Sequence, residues 1–439
     1  MGGEEVEPPV LKVIKALGGD RVWTVGLAVT AGVALGVLGP VSTADTASYV
    51  QLSLLRDPLS PLLLRVLQTL GGRGRLYAWV VLHTVLAVGA TDCLARSFGL
   101  VLELKPTARH VLHLVALAPV LRFARELGSV STALPLCLLW LATALVAIAR
   151  RGERPPLRLL FLWQALGFLA RTQLLLLAPF GLMVGVCTSE RRLRWRAVAG
   201  WSLSLGLMVT AQGLYHAAAS GVFGGVRSAG MQLLTTVVFV SGERDLVHVE
   251  AGTPRAFVTA VHRRVAELGL LASQTPVGVP RNHHFSRAYN DICWGAVLGQ
   301  YARVVLGRDC RVGGIERLCE MTPDQWRDFD TFTMRVAWQV LPAVAGRFAG
   351  NILLCAYEMQ KFYLLAVLIL LGVGLSLTTK DPHVGWPLVL VTCLWAANLV
   401  LVSAVEYPMT KYTVYFDVPV ICALAATLLS WREGRAGSV

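Results

Sequence analysis

Charge is scarce in this chain of 439 residues: Asp, Glu, Lys and Arg make up 15% of it, against 55% hydrophobic residues and a mean hydropathy of +0.59. A soluble chain of this length would carry about 25% charged residues, so an ordinary soluble globular fold is excluded. Lysine is rarer still, six of 40 basic residues, as in proteins of GC-rich bacteria. The nine cysteines form no CxxC pair and no Cys/His spacing suited to zinc. Six lie in or near apolar runs and read as small core residues. Cys293, Cys310 and Cys319 fall in the one long polar segment. Cys310 and Cys319 are near enough in sequence to bridge if that segment is outside the cell. No low-complexity tract, transporter-like repeat or nucleotide-binding motif is visible.

What the chain does have is apolar runs of near-membrane length. Candidate spans cover 22–40, 76–98, 109–122, 130–149, 158–170, 172–188, 197–218, 361–379, 384–404 and 412–430. About 20 apolar residues are needed to cross roughly 30 Å of hydrocarbon. The reading is an all-α polytopic membrane protein of about ten transmembrane helices with extracytoplasmic helical segments. Lys12, Lys15 and Arg21 precede the first run and give it the look of a signal peptide; the equally apolar segments behind it favour a retained span. The net charge of +13 fits arginines in short cytoplasmic loops better than nucleic acid, and no nucleic-acid partner is expected.

Two of the basic clusters, RRGERPPLR and ERRLRWR, flank the stretch FLWQALGFLARTQLLLLAPFGLMVGVCTS. A single helix there would put the two clusters on opposite faces, so a hairpin turned near Arg171 is expected. That topology keeps both termini inside. It divides the chain into an N-terminal transmembrane module (1–218) with a first outer loop (41–75), an extracytoplasmic, partly helical segment (219–360) and a C-terminal transmembrane module (361–439). Within the outer segment, PRAFVTAVHRRVAELGLL has helical spacing, with His262, Arg263 and Arg264 on its polar face. Thr322, Pro323 and Gln325 form a helix start with a capping box.

The polar residues near span ends carry the candidate chemistry. Asp45 either caps a short helix or offers a carboxylate to an outer cavity, one turn from Tyr49. After it, DPLSPLLLRVLQTL reads as an amphipathic helix on the outer surface, in contact with membrane lipid. Arg171 and Gln173 break an apolar hairpin; Arg171 either snorkels to the interface or binds a phosphate. Glu406 and Lys411 either pair with each other or, with Tyr412, meet a bound anion. Arg227 is a further anion contact, and Arg281, His283, His284 and Asn290 suit sugar hydroxyls. His283 and His284 are adjacent and cannot share a helix face, so a divalent metal is disfavoured and no cofactor is expected.

In this order the features resemble the GT-C membrane glycosyltransferases that use polyprenyl-phosphate sugars, the actinobacterial arabinosyl- and mannosyltransferases among them. Four stretches carry the likeness: TADTASYV with Asp45, SPLLLRVLQTL, FLARTQLLLLAP with Arg171, and KYTVYFDVPV with Lys411 and Tyr412. Asp45 stands alone until Asp57 where relatives often carry an acidic pair, and lysine replaces their usual late arginine. The resemblance implies inverting transfer of a sugar from a polyprenyl-phosphate donor to a glycan, lipid or protein hydroxyl, on the extracytoplasmic side of a bacterial plasma membrane. Asp45 would be the base. Arg171, Lys411, Tyr412 and Arg227 would hold the donor phosphate, and Tyr49, Gln173, Glu406 and the 281–290 polar groups the sugar or acceptor. A lipid-linked glycan polymerase or ligase, a lipid-linked-sugar flippase or transporter, and a non-enzymatic assembly subunit are the competing readings.

Overall fold

A computed structural model describes residues 21–42, 46, 49, 56–150, 155–221, 223, 224, 228–308, 321–405 and 410–434. Among these residues the structure is helical, and the only strand-like pairing is a parallel bridge between Val41 and Glu126. Among the described residues six helices are long and apolar enough to cross a membrane, which makes this an all-α membrane protein. The chain divides into two compact units.

The first unit comprises Met1–Tyr215, Ala366–Trp395 and Val414–Val439. It contains α1 (Arg21–Leu38), α2 (Leu59–Gly71), α3 (Arg75–Val101), α4 (Pro106–Ala124), α5 (Ser129–Ala149), α6 (Leu157–Ala170), α7 (Leu177–Thr188) and most of α8 (Arg194–Ser220). Helix α5 is apolar on every side and nearly all of it is buried, as expected of a central helix. In α2, Ser60, Pro61 and Leu64 turn inward, while Leu62, Val66 and Leu70 join Arg65, Gln68 and Thr69 at the surface.

Between α6 and α7 the chain reverses at Arg171, whose φ −161° and ψ 119° are extended rather than helical. A tight turn, Thr172–Leu176, leads into α7. The two arms run antiparallel at close range: Gly167 faces Leu174, Gly181 faces Gln164, and Gly185 faces Leu157 and Phe161. Glycine lets the arms approach where a side chain would hold them apart. At 14 residues, α6 rises only about 21 Å. It is shorter than a full crossing.

The second unit comprises His216–Leu365 and Ala396–Thr413. Its helices are α9 (Ala229–Val240), α10 (Thr253–Glu267), α11 (Arg281–Asn290), α12 (Gly299–Val304) and the greater part of α13 (Pro323–Thr378). Rings from several helices form its core: Phe239 on Phe285 at 4.3 Å, and Tyr301 edge-on to Phe329 at 4.7 Å. The last two helices, α14 (Pro382–Val405) and α15 (Thr410–Arg432), carry the chain through both units.

Helix α13 opens on the expected capping box. The Gln325 amide donates to Thr322 Oγ1 at 3.3 Å, and the Thr322 amide to Gln325 Oε1 at 3.1 Å. Two sequence expectations are corrected. The helix opened at Thr322, expected to run through DFDTFTMRVAWQVLPAVAGRFAG to Gly350, and the span expected at 361–379 belong to one helix of 56 residues, because nothing between them breaks it and Asn351, Cys355 and Gln360 are buried by packing. His262 does not share the exposed face of Arg263 and Arg264; it is buried with Nε2 3.2 Å from the Ser241 carbonyl.

Candidate functional site

The hairpin apex gathers polar groups from several elements of the first unit. Arg171 Nε donates to Gln173 Oε1 at 2.9 Å, and its Nη1 to Ser129 Oγ at 3.3 Å. Ser129, the first residue of α5, also accepts from the Tyr49 hydroxyl at 2.9 Å. The Arg171 guanidinium lies 5.7 Å from the centroid of the buried Tyr415 ring, and that of Arg56 lies 4.8 Å from the Tyr49 ring. Each such contact adds about 1 kcal/mol at a partly buried site. Arg171 is half-buried, and its partners Gln173, Ser129 and Tyr415 are buried.

The same apex is held from behind by Asp57. Its Oδ2 accepts from the Thr172 amide at 2.9 Å, and its Oδ1 takes the Thr172 hydroxyl and, at 3.4 Å, the Gln212 side-chain amide. The Val41 amide donates to the Arg125 carbonyl at 2.8 Å and its carbonyl accepts from the Leu127 amide at 3.0 Å, Trp79 Nε1 donates to the Glu126 carbonyl at 3.0 Å, and Tyr49, Leu64, Trp79 and Leu127 pack as an apolar cluster. A guanidinium offers five donors in a planar fork, and here Nε and Nη1 are directed at Gln173 and Ser129.

Three residues expected from the sequence thus meet here: Tyr49, Arg171 and Gln173. Asp45, Arg227 and Glu406 lie outside the described residues, as do Cys310 and Cys319. Lys411 falls in the first turn of α15, with its side chain outside the description. Tyr412, in the second unit, is half-buried, and its carbonyl accepts from Asn398 Nδ2 at 3.2 Å.

The remaining candidates sit on α11 in the second unit. Arg281 and Glu358 both act electrostatically on the Cys355 thiol, which places the three together. His283 is exposed, whereas His284 is buried, with Nε2 3.2 Å from the Leu271 carbonyl and its ring 5.9 Å from Phe239. His284 is therefore a packing residue in the core, not a surface contact for a sugar. Asn290 ends α11 and is exposed. An open hollow of about 460 Å³ lies along α10, lined by Gly252, Arg255, Thr259 and Arg263. No expected site residue lines it, and Arg255 is occupied with the Val247 and Val249 carbonyls. Among the described residues, no three His, Cys, Asp or Glu side chains converge as metal ligands.

Sequence reading missed Arg56, Asp57, Ser129, Tyr415 and Asp417. Asp417 was the most visible of them, an acid inside an apolar run. It is buried in α15 and accepts from Trp395 Nε1 at 3.1 Å. Set against protein-family profiles, curated proteins and solved structures, the chain finds no match.

Proposed function

We propose that the protein transfers a sugar from a polyprenyl-phosphate donor to an acceptor hydroxyl at the extracytoplasmic membrane boundary. One observation supports this above the others: the Arg171 guanidinium, at the apex of a helical hairpin, is oriented by Gln173 and Ser129 and lies over the Tyr415 ring. A guanidinium so held matches the two non-bridging oxygens of the donor's phosphodiester and those of the phosphate monoester that leaves. In the reaction, the acceptor oxygen attacks the anomeric carbon as its proton passes to the Asp45 carboxylate. The bond from the anomeric carbon to the phosphate oxygen breaks with inversion, and Arg171 stabilises the charge left on the phosphate.

The test uses purified full-length protein, labelled lipid-phosphate sugars and product identification by mass. Arg171→Gln is expected to lower kcat/KM by about 10²- to 10³-fold, the usual effect of deleting one charge-stabilising group. Asp45→Asn is expected to stop transfer while donor binding survives. Wild-type turnover and donor affinity in Arg171→Gln would reject the reading.

A second reading has its own support. Asp417 is buried within one apolar helix, and Asp92 pairs with Arg96 at 2.9 Å within another. Ionisable groups inside spans mark many transport pathways, so a lipid-linked-sugar flippase remains the rival. Movement of a fluorescent donor across liposomes, without a product, would favour it.

A further inference from the structure

Asp57 has no part in the chemistry above, yet it receives three hydrogen bonds at the apex. One of its carboxylate oxygens accepts the Thr172 amide, and the other takes the Thr172 hydroxyl and the Gln212 amide. Thr172 follows Arg171 directly and is the first residue of the tight turn Thr172–Leu176. Its amide is one of the donors that a helical turn leaves without an internal partner. A carboxylate supplied there is a charged cap, reached from 115 positions away in the sequence.

The cap fixes more than the turn. Gripping one residue by both its backbone amide and its hydroxyl restrains the Arg171–Thr172 peptide plane. Arg171 stands on that plane in an extended conformation, and two residues on, Gln173 must be in register to receive Arg171 Nε. Because both oxygens of Asp57 are engaged in these bonds, the group is unsuited to taking the acceptor proton.

We infer that Asp57 is the positioning residue for Arg171, clamping the hairpin apex in the form that presents the guanidinium to a phosphate monoester. The identity of that ligand rests on the glycosyl-transfer reading; the clamp itself does not.

Two measurements on the full-length protein in detergent separate the two ideas. The first reads geometry: the rate at which phenylglyoxal modifies Arg171, mapped by mass spectrometry. Asp57→Ala is expected to change that rate at least about threefold, and Thr172→Val, which removes only the hydroxyl, to change it in the same direction by less. The second reads binding of farnesyl phosphate. Asp57→Ala should weaken it about tenfold, the scale of one lost hydrogen bond to a charged group. In an Arg171→Gln background the same substitution should change it less than about twofold, since a residue acting through Arg171 has nothing left to act on.

An unchanged modification rate in both variants overturns the clamp, as does equal weakening of binding in the presence and absence of Arg171. If Arg171→Gln leaves farnesyl phosphate binding intact while Asp57→Ala still alters the modification rate, the clamp stands and the phosphate reading falls. Should Asp57→Ala fail to fold, Thr172→Val carries both measurements.

Discussion

The two units apply the same device to different ends. In the second, the long helix α13 fastens one element after another with its polar side chains. Asp330 accepts from the Gly230 amide at 2.7 Å and Gln339 from the Glu250 amide at 3.2 Å; Arg347 donates to Asp245 at 2.7 Å, and Glu358 accepts from the Asn282 amide at 2.7 Å. Three of these satisfy backbone donors at or just before the starts of helices, where no intrahelical partner exists. In the first unit Asp57 caps a turn in the same manner, but the neighbouring residue is Arg171. A long-range cap is architecture when it ends on Gly230, and when it ends beside an arginine it also sets the position of that charge.

The largest expected effect tests the architectural half. Where α9 meets α13, a Cβ on Gly230 would press on the Asp330 carbonyl and lie 2.6 Å from the Met334 amide nitrogen. Backbone atoms of a helix cannot give way, so Gly230→Ala must push α9 outward and stretch the Asp330 cap. Overpacking of this kind costs about 3 kcal/mol. Thermal unfolding in detergent should show a melting point lowered by several degrees. A variant melting like the wild type would mean that α13 is no rigid spine, and the contrast between the units would dissolve.

How much of this the sequence disclosed depends on whether local pattern or distant partner decided the outcome. The hairpin at Arg171 was legible because two arginine clusters flank one apolar stretch, and the Thr322–Gln325 capping box because it is local. Arg171, Gln173 and Tyr49 stood out as polar or aromatic groups at the edges of apolar runs. Ser129 and Asp57 did not: they join the apex across 42 and 115 positions, and a serine or an acid before a proline carries no sign of such a partner. The unbroken course of α13 was hidden as well. The polar groups Asn351, Glu358 and Gln360 interrupt the apolar pattern between the helix read to Gly350 and the span expected from 361, and burial of Asn351 and Gln360 carries the helix across them. His284 failed for a related reason, since neighbouring histidines look alike until packing selects which one turns inward.

A smaller effect asks whether the first unit also contains a purely architectural acid. Asp417 is buried and receives the Trp395 indole N–H at 3.1 Å. Trp395→Phe preserves most of the ring volume and removes that donor. Losing one bond to a buried polar group should cost about 2 kcal/mol, read as a lower melting point with the proposed sugar transfer unchanged in the remaining folded protein. If stability holds but transfer or lipid movement changes, Asp417 belongs with Arg171 rather than with Asp330.

The smallest expected effect is a pH dependence at Asp245, the one fastening on α13 whose electrostatics can be signed. Burial alone would raise its carboxyl, but the Gly242 amide at 2.6 Å and the Arg347 guanidinium at 2.7 Å outweigh burial and hold it below its ordinary value of 3.8. A depressed carboxyl contributes stability that is complete above the unfolded value, and that contribution is lost as pH falls through the folded one. Arg347 is 52% exposed, so solvent screening keeps the contribution to about 1 kcal/mol. Denaturant midpoints at about pH 7 and about pH 3 should therefore fall further in the wild type than in Arg347→Ala, which lacks the partner that holds the carboxylate charged. Equal losses in the two proteins would show that this fastening is held by shape and the Gly242 amide alone, leaving Asp57 as the charged cap to which a neighbouring cation gives a second use.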